Sequence, residues 1–352
     1  MNLFEYTRAA SVAEAVAAAS QPGAAYLAAG TNLLDLMKGG IATPSRLVDI
    51  TRLPGLGAVE PQPDGSTRIG ALVRNSDLAR HPHVAKTYPM VAEALLAGAS
   101  AQLRNAATTA GNLMQRTRCP YFYDPASPCN RREPGAGCQA VGGATRLHAV
   151  LGWSEHCIAV HASDLCVPLA ALGALVEIEG AGGRRTVPIG DFHRLPGDAP
   201  ARETVLEPGE LVTALVLPPE AAAFAGLARY LKVRDRTSYA FATVSAAAAL
   251  RLDGGRIGAA RLALGGVAAR PWRVAAAEDA LQGAEPDEAA FARAADALVA
   301  GAKPSGPENA FKVELARRTV VRALLLARAG TPARMPALPA SPFSHAAGAI
   351  HA

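Results

Sequence analysis

Five cysteines, all between positions 119 and 166, are the residues of this 352-residue sequence best suited to chemistry. Intervals of 9, 8 and 18 residues separate four of them, Cys119, Cys129, Cys138 and Cys157. Thiolates bind zinc or iron-sulfur clusters, but these intervals match neither the C-x-x-C pairs of common zinc sites nor the compact ferredoxin run. An odd number of cysteines in a long chain makes a disulfide framework a poor explanation. Spacing alone therefore leaves zinc and iron-sulfur open.

The charges around these cysteines favour a bound anion. Five arginines oppose only two acidic residues between 116 and 146: Arg116, Arg118, Arg131, Arg132 and Arg146 against Asp124 and Glu133. Such surroundings stabilise a negatively charged metal group and raise the potential of a cluster. A zinc ion held by four thiolates is equally anionic, so charge does not choose between the two.

The remaining candidate ligands in this region are better explained by packing. Cys166 lies in the apolar stretch VPLAALGALV and is expected to be a small buried hydrophobe. His148, His156 and His161 lie inside or beside the cysteine-bearing segment. Because four thiolates already complete a site, these histidines are expected to be packed or solvated.

Two turns of small residues could hold a phosphate-bearing cofactor. In YLAAGTNLLDLMK, residues 26–38, a strand is expected to end at Ala29 and Gly30, and Thr31 to cap a helix from about Asn32 to Gly39. In RNAATTAGNLMQ, residues 104–115, small and hydroxyl residues again cluster at a turn. Exposed amides at such turns bind anions. The pattern G-x-G-x-x-G is absent, so a Rossmann dinucleotide fold is not supported.

The elements that must position these residues form a first region up to about residue 218, interrupted at 116–162, and a second region from residue 229. Residues 1–115 alternate short apolar runs with helical patterns and predict an α/β arrangement, whereas 116–162 show neither a period of 2 nor one of 3.6. A helix running into strands follows from 163 to 218. Residues 229–267 predict antiparallel strands with a Gly-Gly turn, followed by helices near 274–282, 287–301 and 309–329.

Composition narrows the class of protein. Half of the residues are hydrophobic and 18% are charged, which is typical of a globular chain. No apolar stretch reaches membrane-spanning length, and the N-terminus lacks the pattern of a secretory signal. The net charge of +5 is scattered along the chain, which is weak evidence for nucleic-acid binding.

Four segments, taken in order, resemble one family: AAGTNLLDLMK, ATTAGN, HASDLCVPLAALGA and RYLKVRDRTSYAFATVSAA. This family is the flavin-binding medium subunits of the molybdenum hydroxylases, which include xanthine dehydrogenase and carbon monoxide dehydrogenase. The string TRCPYFYDPASPCNRREPGAGC resembles one branch, the FAD subunit of periplasmic aldehyde oxidoreductase, which carries an extra [4Fe-4S] cluster. The resemblance therefore implies that the four cysteines bind an iron-sulfur cluster rather than zinc.

The resemblance implies a set of site residues. A pyrophosphate loop falls on 27–34, a second flavin loop on 108–112, a nucleotide-binding aspartate on 164 and a lysine near the flavin on 232. The implied FAD residues are Leu27, Ala28, Ala29, Gly30, Thr31, Asn32, Leu33, Leu34, Thr108, Gly111, Asn112, Asp164 and Lys232. The implied cluster ligands are Cys119, Cys129, Cys138 and Cys157. No residue of this chain is expected to be catalytic.

The implied fold is mixed α+β and α/β: a two-part FAD-binding domain of the vanillyl-alcohol oxidase (PCMH) type, then a small C-terminal α+β domain. The expected bounds are 1–222 for the FAD domain with a cluster-binding insertion at 116–162, 226–330 for the second domain and 331–352 for an extended tail.

The implied function is electron transfer within a heterotrimer. A small subunit with [2Fe-2S] clusters would deliver electrons from a large molybdenum-cofactor subunit that oxidises an aldehyde, and FAD in this chain would pass them to an external acceptor. Neither a nucleic acid nor a membrane is an expected partner. The complex is expected in the periplasm, exported by a partner's signal. The alternative function is a zinc-stabilised nucleic-acid-binding or scaffold module.

Overall fold

The structure, a computed structural model, describes residues 1–334 and begins with a small parallel sheet. Its strands lie in the order β1-β3-β2, and each consecutive pair of strands is joined through a helix. Ser11 starts the first helix by accepting a hydrogen bond from the Glu14 amide at 3.2 Å. The elements are β1 (Glu5–Arg8), α1 (Val12–Ala19), β2 (Ala24–Leu27), α2 (Leu33–Lys38) and β3 (Arg46–Asp49).

A second sheet of five antiparallel strands follows, in the order β4-β5-β8-β6-β7. Its strands are β4 (Val59–Pro61), β5 (Thr67–Gly70), β6 (Leu175–Gly180), β7 (Gly183–Pro188) and β8 (Leu211–Leu217). Between β5 and β6 the chain forms a helical layer and the cysteine-bearing segment. The helices of this part are α3 (Asn75–Arg80), α4 (Pro82–Thr87), α5 (Pro89–Ala97), α6 (Ala101–Ala106), α7 (Thr109–Leu113), α8 (Pro120–Tyr123), α9 (Cys166–Ala171) and, after β7, α10 (Ile189–Phe192).

The last part of the chain is a three-stranded antiparallel sheet covered by helices. A 3-10 helix over Pro219–Leu227 leads into it, and Gly254 and Gly255, both with positive φ, form the expected turn between its two long strands. The strands are β9 (Ala228–Val233), β10 (Val244–Asp253) and β11 (Arg256–Gly265), in the order β11-β10-β9. The helices are α11 (Ala275–Asp279), α12 (Glu288–Leu298) and α13 (Phe311–Arg328), with a short 3-10 helix over Pro307–Asn309.

Helix α13 shows why this sequence forms a helix against the sheet. Ala316, Val320, Ala323, Leu324 and Ala327 recur at helical spacing and are completely buried. Burial of each larger apolar side chain contributes about 1.5–3 kcal/mol, which outweighs the weak helix propensity of the β-branched Val320. The packed stripe fixes this helix, and the residues at its N-terminal turn, against β10 and β9.

Residues 116–162 contain little regular structure, as the sequence predicted. Apart from α8, pairing is limited to isolated bridges such as Cys129 with Cys138 and Ser154 with Cys157. Side chains replace strand ladders: Arg132 donates to the carbonyls of Tyr121, Phe122, Pro125 and Ser127. We call residues 116–162 the insertion from here on.

Two local expectations were wrong by a few residues. The strand before the first small-residue turn ends at Leu27 rather than at Ala29 and Gly30, and α2 begins at Leu33. Asn32, not Thr31, occupies the cap position, and its side chain accepts a hydrogen bond from the Arg116 amide at 3.0 Å instead of capping the helix. The structural reason is that the connection to the insertion recruits the only side-chain amide at this turn.

Within residues 1–334, none of the helices has both the length and the apolar character needed to cross a membrane. Most of the expected tail, from 335 to 352, lies outside the described residues.

Candidate functional site

A cavity of about 720 Å³ lies between the first region, the insertion and the C-terminal domain. Its volume is within the range of small-molecule and cofactor sites. The N-terminal region contributes the turn before α2 and residues near α5 and α7, the insertion contributes segments around 117–120 and 160–162, and the C-terminal domain contributes β9 and the loop 235–242. Six of the predicted FAD residues line this cavity: Thr31, Asn32, Gly111, Asn112, Asp164 and Lys232. The other seven, Leu27, Ala28, Ala29, Gly30, Leu33, Leu34 and Thr108, adjoin these lining residues in the chain without lining the cavity.

The turn from Ala29 to Asn32 has the features of an anion-binding loop. Gly30 has a φ of +73°, which only glycine adopts without strain. Among residues 1–334, no group accepts a hydrogen bond from the amides of Ala29, Gly30, Thr31 and Asn32. Consecutive free amides beside a cavity form a concave donor set for phosphate oxygens. The loop therefore fits the pyrophosphate that the sequence predicted here.

The second turn, at α7, plays a different part from the one its sequence suggested. The Thr108 hydroxyl accepts from the Gly111 amide at 3.3 Å, and the Asn112 amide donates to the Thr108 carbonyl, so these backbone donors are used inside the turn. Thr109 is buried and donates its hydroxyl to the Val73 carbonyl at 2.9 Å. A Cβ at Gly111 would lie 2.9 Å from the Thr108 hydroxyl. The turn thus supplies a close-packed wall rather than a set of free amides.

A buried ion pair joins the two domains at the cavity. Lys232 on β9 donates to the Asp164 carboxylate at 2.8 Å, and their side chains are 4% and 9% exposed. The Tyr230 hydroxyl donates to the other oxygen of the same carboxylate at 2.5 Å. Burial, with Asp164 alongside, raises the pKa of Tyr230 far above its usual value. Asp164 is therefore held in one orientation, with a positive charge beside it in the cavity wall.

The four cysteines assigned as ligands come together in the insertion as free thiols. Cys129 pairs with Cys138 in a backbone bridge, and Cys157 is close enough to act electrostatically on both Cys119 and Cys138. Burial raises the pKa of Cys119 to about 11, while the amides of Phe122 and Tyr121 donate to its sulfur and lower the pKa. Amide donors of this kind hold and tune the thiolates of iron-sulfur clusters.

The distances between the four sulfur atoms indicate whether they could bind one metal ion or a larger cluster. Within the described residues, no three of the four sulfurs lie within 4.8 Å of one another. A single zinc ion at about 2.3 Å from each thiolate would draw all four sulfurs to less than about 4 Å apart. The arrangement fits a larger group with several metal ions better than one ion.

Positive charge is buried next to the thiols. The Arg131 side chain is 6% exposed, and one of its nitrogens lies 3.6 Å from the Cys157 sulfur. Arg131 and Arg116 share a single carboxylate, that of Glu203. Two guanidinium groups on one carboxylate leave one positive charge in excess, which favours a bound anion. Cys119 also lines the cavity, so the thiol cluster and the cavity share a wall.

Sequence reasoning named His148, His161 and Cys166 but missed His193 and the contacts that these residues make. The Cys119 sulfur lies 3.2 Å from Nε2 of His148, and burial lowers the pKa of this histidine to about 4. Cys166 is buried as predicted, but its sulfur groups with His161 and His193, with all ligand atoms within 4.8 Å. No spacing pattern could have joined residues 161 and 193 before the fold was known.

The group of Cys166, His161 and His193 is better described as packing than as a metal site. The Ser163 amide donates to Nδ1 of His161 at 3.4 Å, which puts the proton of this neutral ring on Nε2. That nitrogen then has no lone pair for a metal. Burial also raises the pKa of the Cys166 thiol to about 12.

Comparisons with known proteins find matches for both parts of the chain. The family profile "FAD binding domain in molybdopterin dehydrogenase" matches residues 2–220, and "CO dehydrogenase flavoprotein C-terminal domain" matches residues 229–327. The chain is 52% identical over 332 residues to the aldehyde oxidoreductase FAD-binding subunit PaoB of Escherichia coli strain K12, covering 94% of this chain and 99% of the relative. It is 31% identical over 330 residues to the carbon monoxide dehydrogenase medium chain of Hydrogenophaga pseudoflava, covering 91% and 96%.

Solved structures give the same result for the fold. Carbon monoxide dehydrogenase from Hydrogenophaga pseudoflava, in a form lacking the Mo-pyranopterin moiety of its molybdenum cofactor, superimposes with a TM-score of 0.72 at 30% identity, covering 93% of this chain and 98% of the other. Quinoline 2-oxidoreductase from Pseudomonas putida 86 gives 0.71 at 27% identity, covering 94% and 99%. The FAD-binding fold followed by a small α+β domain, expected from the sequence, is confirmed.

Proposed function

The chain belongs to the FAD-binding medium subunits of the molybdenum hydroxylases, and we propose that it carries a [4Fe-4S] cluster in addition to FAD. The observation that carries this proposal is the set of four free thiols, too far apart for one ion, of which Cys119 also lines the cavity. Cys119, Cys129, Cys138 and Cys157 would hold the cluster. Arg131 and the amides that donate to the sulfurs would compensate its negative charge.

FAD would occupy the neighbouring cavity. The free amides of the Ala29–Asn32 turn would bind its pyrophosphate, and the wall at Gly111 and Asn112 would admit a flat group because it has few side-chain atoms. Asp164, oriented by Lys232, would accept hydrogen bonds from hydroxyl groups of the nucleotide part. When bound, FAD supplies one- and two-electron chemistry.

Electrons would pass through this chain rather than originate in it. One relative, 52% identical to this chain, is a FAD-binding subunit of an aldehyde oxidoreductase. By analogy, a large molybdenum-cofactor subunit would oxidise an aldehyde, a small [2Fe-2S] subunit would deliver the electrons, and FAD would pass them to an external acceptor. The isolated chain should then be reduced by dithionite but not by an aldehyde, and adding both partner subunits should restore bleaching of the flavin by an aldehyde.

We further infer a periplasmic location, reached by export of the folded complex on the signal of a partner. The support is the resemblance of the insertion to a periplasmic branch of the family. Cell fractionation with and without the small subunit tests it, since periplasmic appearance of this chain alone would contradict export by a partner.

Substitution of one thiol tests the cluster. We expect Cys129→Ser to remove or convert the iron-sulfur cluster and to leave FAD bound, because the two sites use different segments. Cys166→Ser is the matched control, since its thiol is buried outside the four, and it should keep both cofactors. Iron, acid-labile sulfide, zinc and flavin are measured on each purified chain.

The outcomes separate the candidate functions. Full iron content in Cys129→Ser, or loss of iron in Cys166→Ser, would show that the ligand set is wrong. A wild-type chain that contains zinc, no iron and no flavin bands would instead favour a zinc-stabilised module.

A further inference from the structure

Lys312, on the first turn of α13, is a completely buried lysine outside the sites described so far. Its ammonium group donates to three backbone carbonyls, those of Gly266 at 2.6 Å, His148 at 2.8 Å and Leu147 at 3.3 Å. In the part of the chain that the structure describes, it forms no ion pair with a carboxylate. The charged side chain that acts on it is Arg146, which repels it.

A buried ammonium without an opposite charge is unfavourable, because carbonyl groups replace only part of its hydration. Burial, reinforced by Arg146, accordingly lowers the pKa of Lys312 to about 7. An ordinary core position in a helix would favour methionine or leucine. A lysine at this position therefore points to a negative charge nearby when the protein is complete.

The carbonyl partners of Lys312 lead directly to the thiol cluster. Two of them belong to the insertion, at positions 147 and 148, and the ring of His148 lies 3.2 Å from the Cys119 sulfur. Neighbouring residues reinforce the same contact, since Asn309 donates to the carbonyls of His148 and Ala149 and Glu308 accepts from the Thr145 amide. The start of α13 and the short 3-10 helix before it thus hold residues 145–149 of the insertion, which reach Cys119 through the ring of His148.

The charged groups nearest the thiols and the start of α13 carry an excess of positive charge. Arg116, Arg131 and Glu203 together leave one positive charge, and Lys312 adds a second. An oxidised [4Fe-4S] cluster with four thiolates carries two negative charges, which equals this excess.

We propose that Lys312 is a counter-charge and positioning residue for the cluster, and that it couples the C-terminal domain to cluster binding and to the cluster's reduction potential. The inference rests on the proposed cluster. It predicts that the contribution of Lys312 to the stability of the folded chain depends on whether the cluster is present. Lys312 should stabilise the chain that contains the cluster, whereas in the chain without the cluster it is a buried, uncompensated charge.

A double-variant cycle on the full chain tests this dependence. In the cluster-containing chain, Lys312→Met should lower the midpoint of thermal unfolding by about 5 °C, because the cluster loses its counter-charge. In the cluster-free Cys129→Ser chain, the same substitution should leave the midpoint unchanged or raise it, because it removes an uncompensated charge. Equal losses in both backgrounds, including failure of both to fold, would mean that Lys312 acts only through packing and would overturn the proposal.

The reduction potential gives a second readout that packing alone would not move. Removing a positive charge makes reduction harder, so at a fixed potential the ratio of reduced to oxidised cluster in Lys312→Met should fall about tenfold, a shift of about 59 mV to more negative values for one electron. Lys303→Met is the control, since Lys303 is an exposed lysine nine positions before Lys312 in the chain, and its effect should be much smaller. Redox titration followed by electron paramagnetic resonance measures both.

The two proposals fail in different ways. A wild-type chain without iron and sulfide would refute the cluster itself. A loaded wild-type chain in which Lys312→Met leaves the potential unchanged would refute only the role of the lysine. A Lys312→Met chain that keeps FAD but no longer takes up iron, while Lys303→Met takes it up, agrees with the proposal.

Discussion

Replacing Gly30 by alanine should weaken FAD binding without unfolding the chain. The φ of +73° at Gly30 is unfavourable for any residue with a Cβ by about 1–2 kcal/mol. The added methyl would also lie 2.7 Å from the Leu34 Cδ1 atom, a flexible contact that Leu34 relieves by rotating. In the empty variant the loop relaxes to negative φ, which turns the amides of Ala29 to Asn32 away from their shared orientation.

Binding FAD must then restore the strained conformation, so the binding free energy loses about 1–2 kcal/mol, or 5- to 30-fold in affinity. Gly40→Ala is a matched control. Gly40 has a similar φ of +71° and open space around its Cβ position, but it lies beyond the C-terminal end of α2. Gly30 lies in the turn before α2, next to the cavity-lining Thr31 and Asn32. Gly40→Ala should suffer the same backbone strain, seen as reduced stability, and keep its affinity for FAD.

Titration of the deflavinated chains with FAD, followed by flavin fluorescence, measures both affinities. Gly30→Val should bind still less, because its branched side chain cannot fit beside Leu34. The reasoning is refuted if Gly30→Ala binds FAD as tightly as Gly40→Ala does, because the pyrophosphate would then lie elsewhere.

Two further predictions concern buried charges. Lys232→Met should lower the free energy of unfolding by about 3–5 kcal/mol, since it leaves the Asp164 carboxylate buried without its partner. The double variant with Asp164→Asn should recover part of this loss. Urea denaturation measures both changes. Burial lowers the pKa of His193 to about 4, below the value of about 6.5 for an unfolded chain, so the unfolded state binds more protons between these pH values. The free energy of unfolding should therefore fall by up to about 3 kcal/mol as the pH drops from 6.5 to 4. A His193→Gln chain should lose less stability over this pH range. His156→Gln is the control, since His156 is exposed, and it should behave like wild type.

Patterns local in sequence were predicted well. The Gly-Gly turn between β10 and β11, the antiparallel strands expected over 229–267 and the helix expected near 309–329 follow from turn chemistry and from periods of 2 and 3.6 residues. The absence of either period in 116–162 correctly indicated a segment with little regular structure. Thr31 was expected to cap α2, but Asn32 occupies the cap position, and its side-chain oxygen accepts a hydrogen bond from the Arg116 amide. No local pattern in the sequence contains this contact.

The sequence by itself determined the donor types of the site: clustered cysteines among arginines, two turns of small residues, an aspartate and a lysine. Residue types and their order can be read from the sequence directly, and the resemblance to a family rests on them. Tertiary structure decided which donors are free, because hydrogen bonds formed on folding use the amides of Gly111 and Asn112 and leave those of Ala29 to Asn32 available. It also brought Lys312 to the edge of the insertion, 164 positions after His148, since burial of α13 against its sheet, and not any spacing in the chain, places a positive charge there.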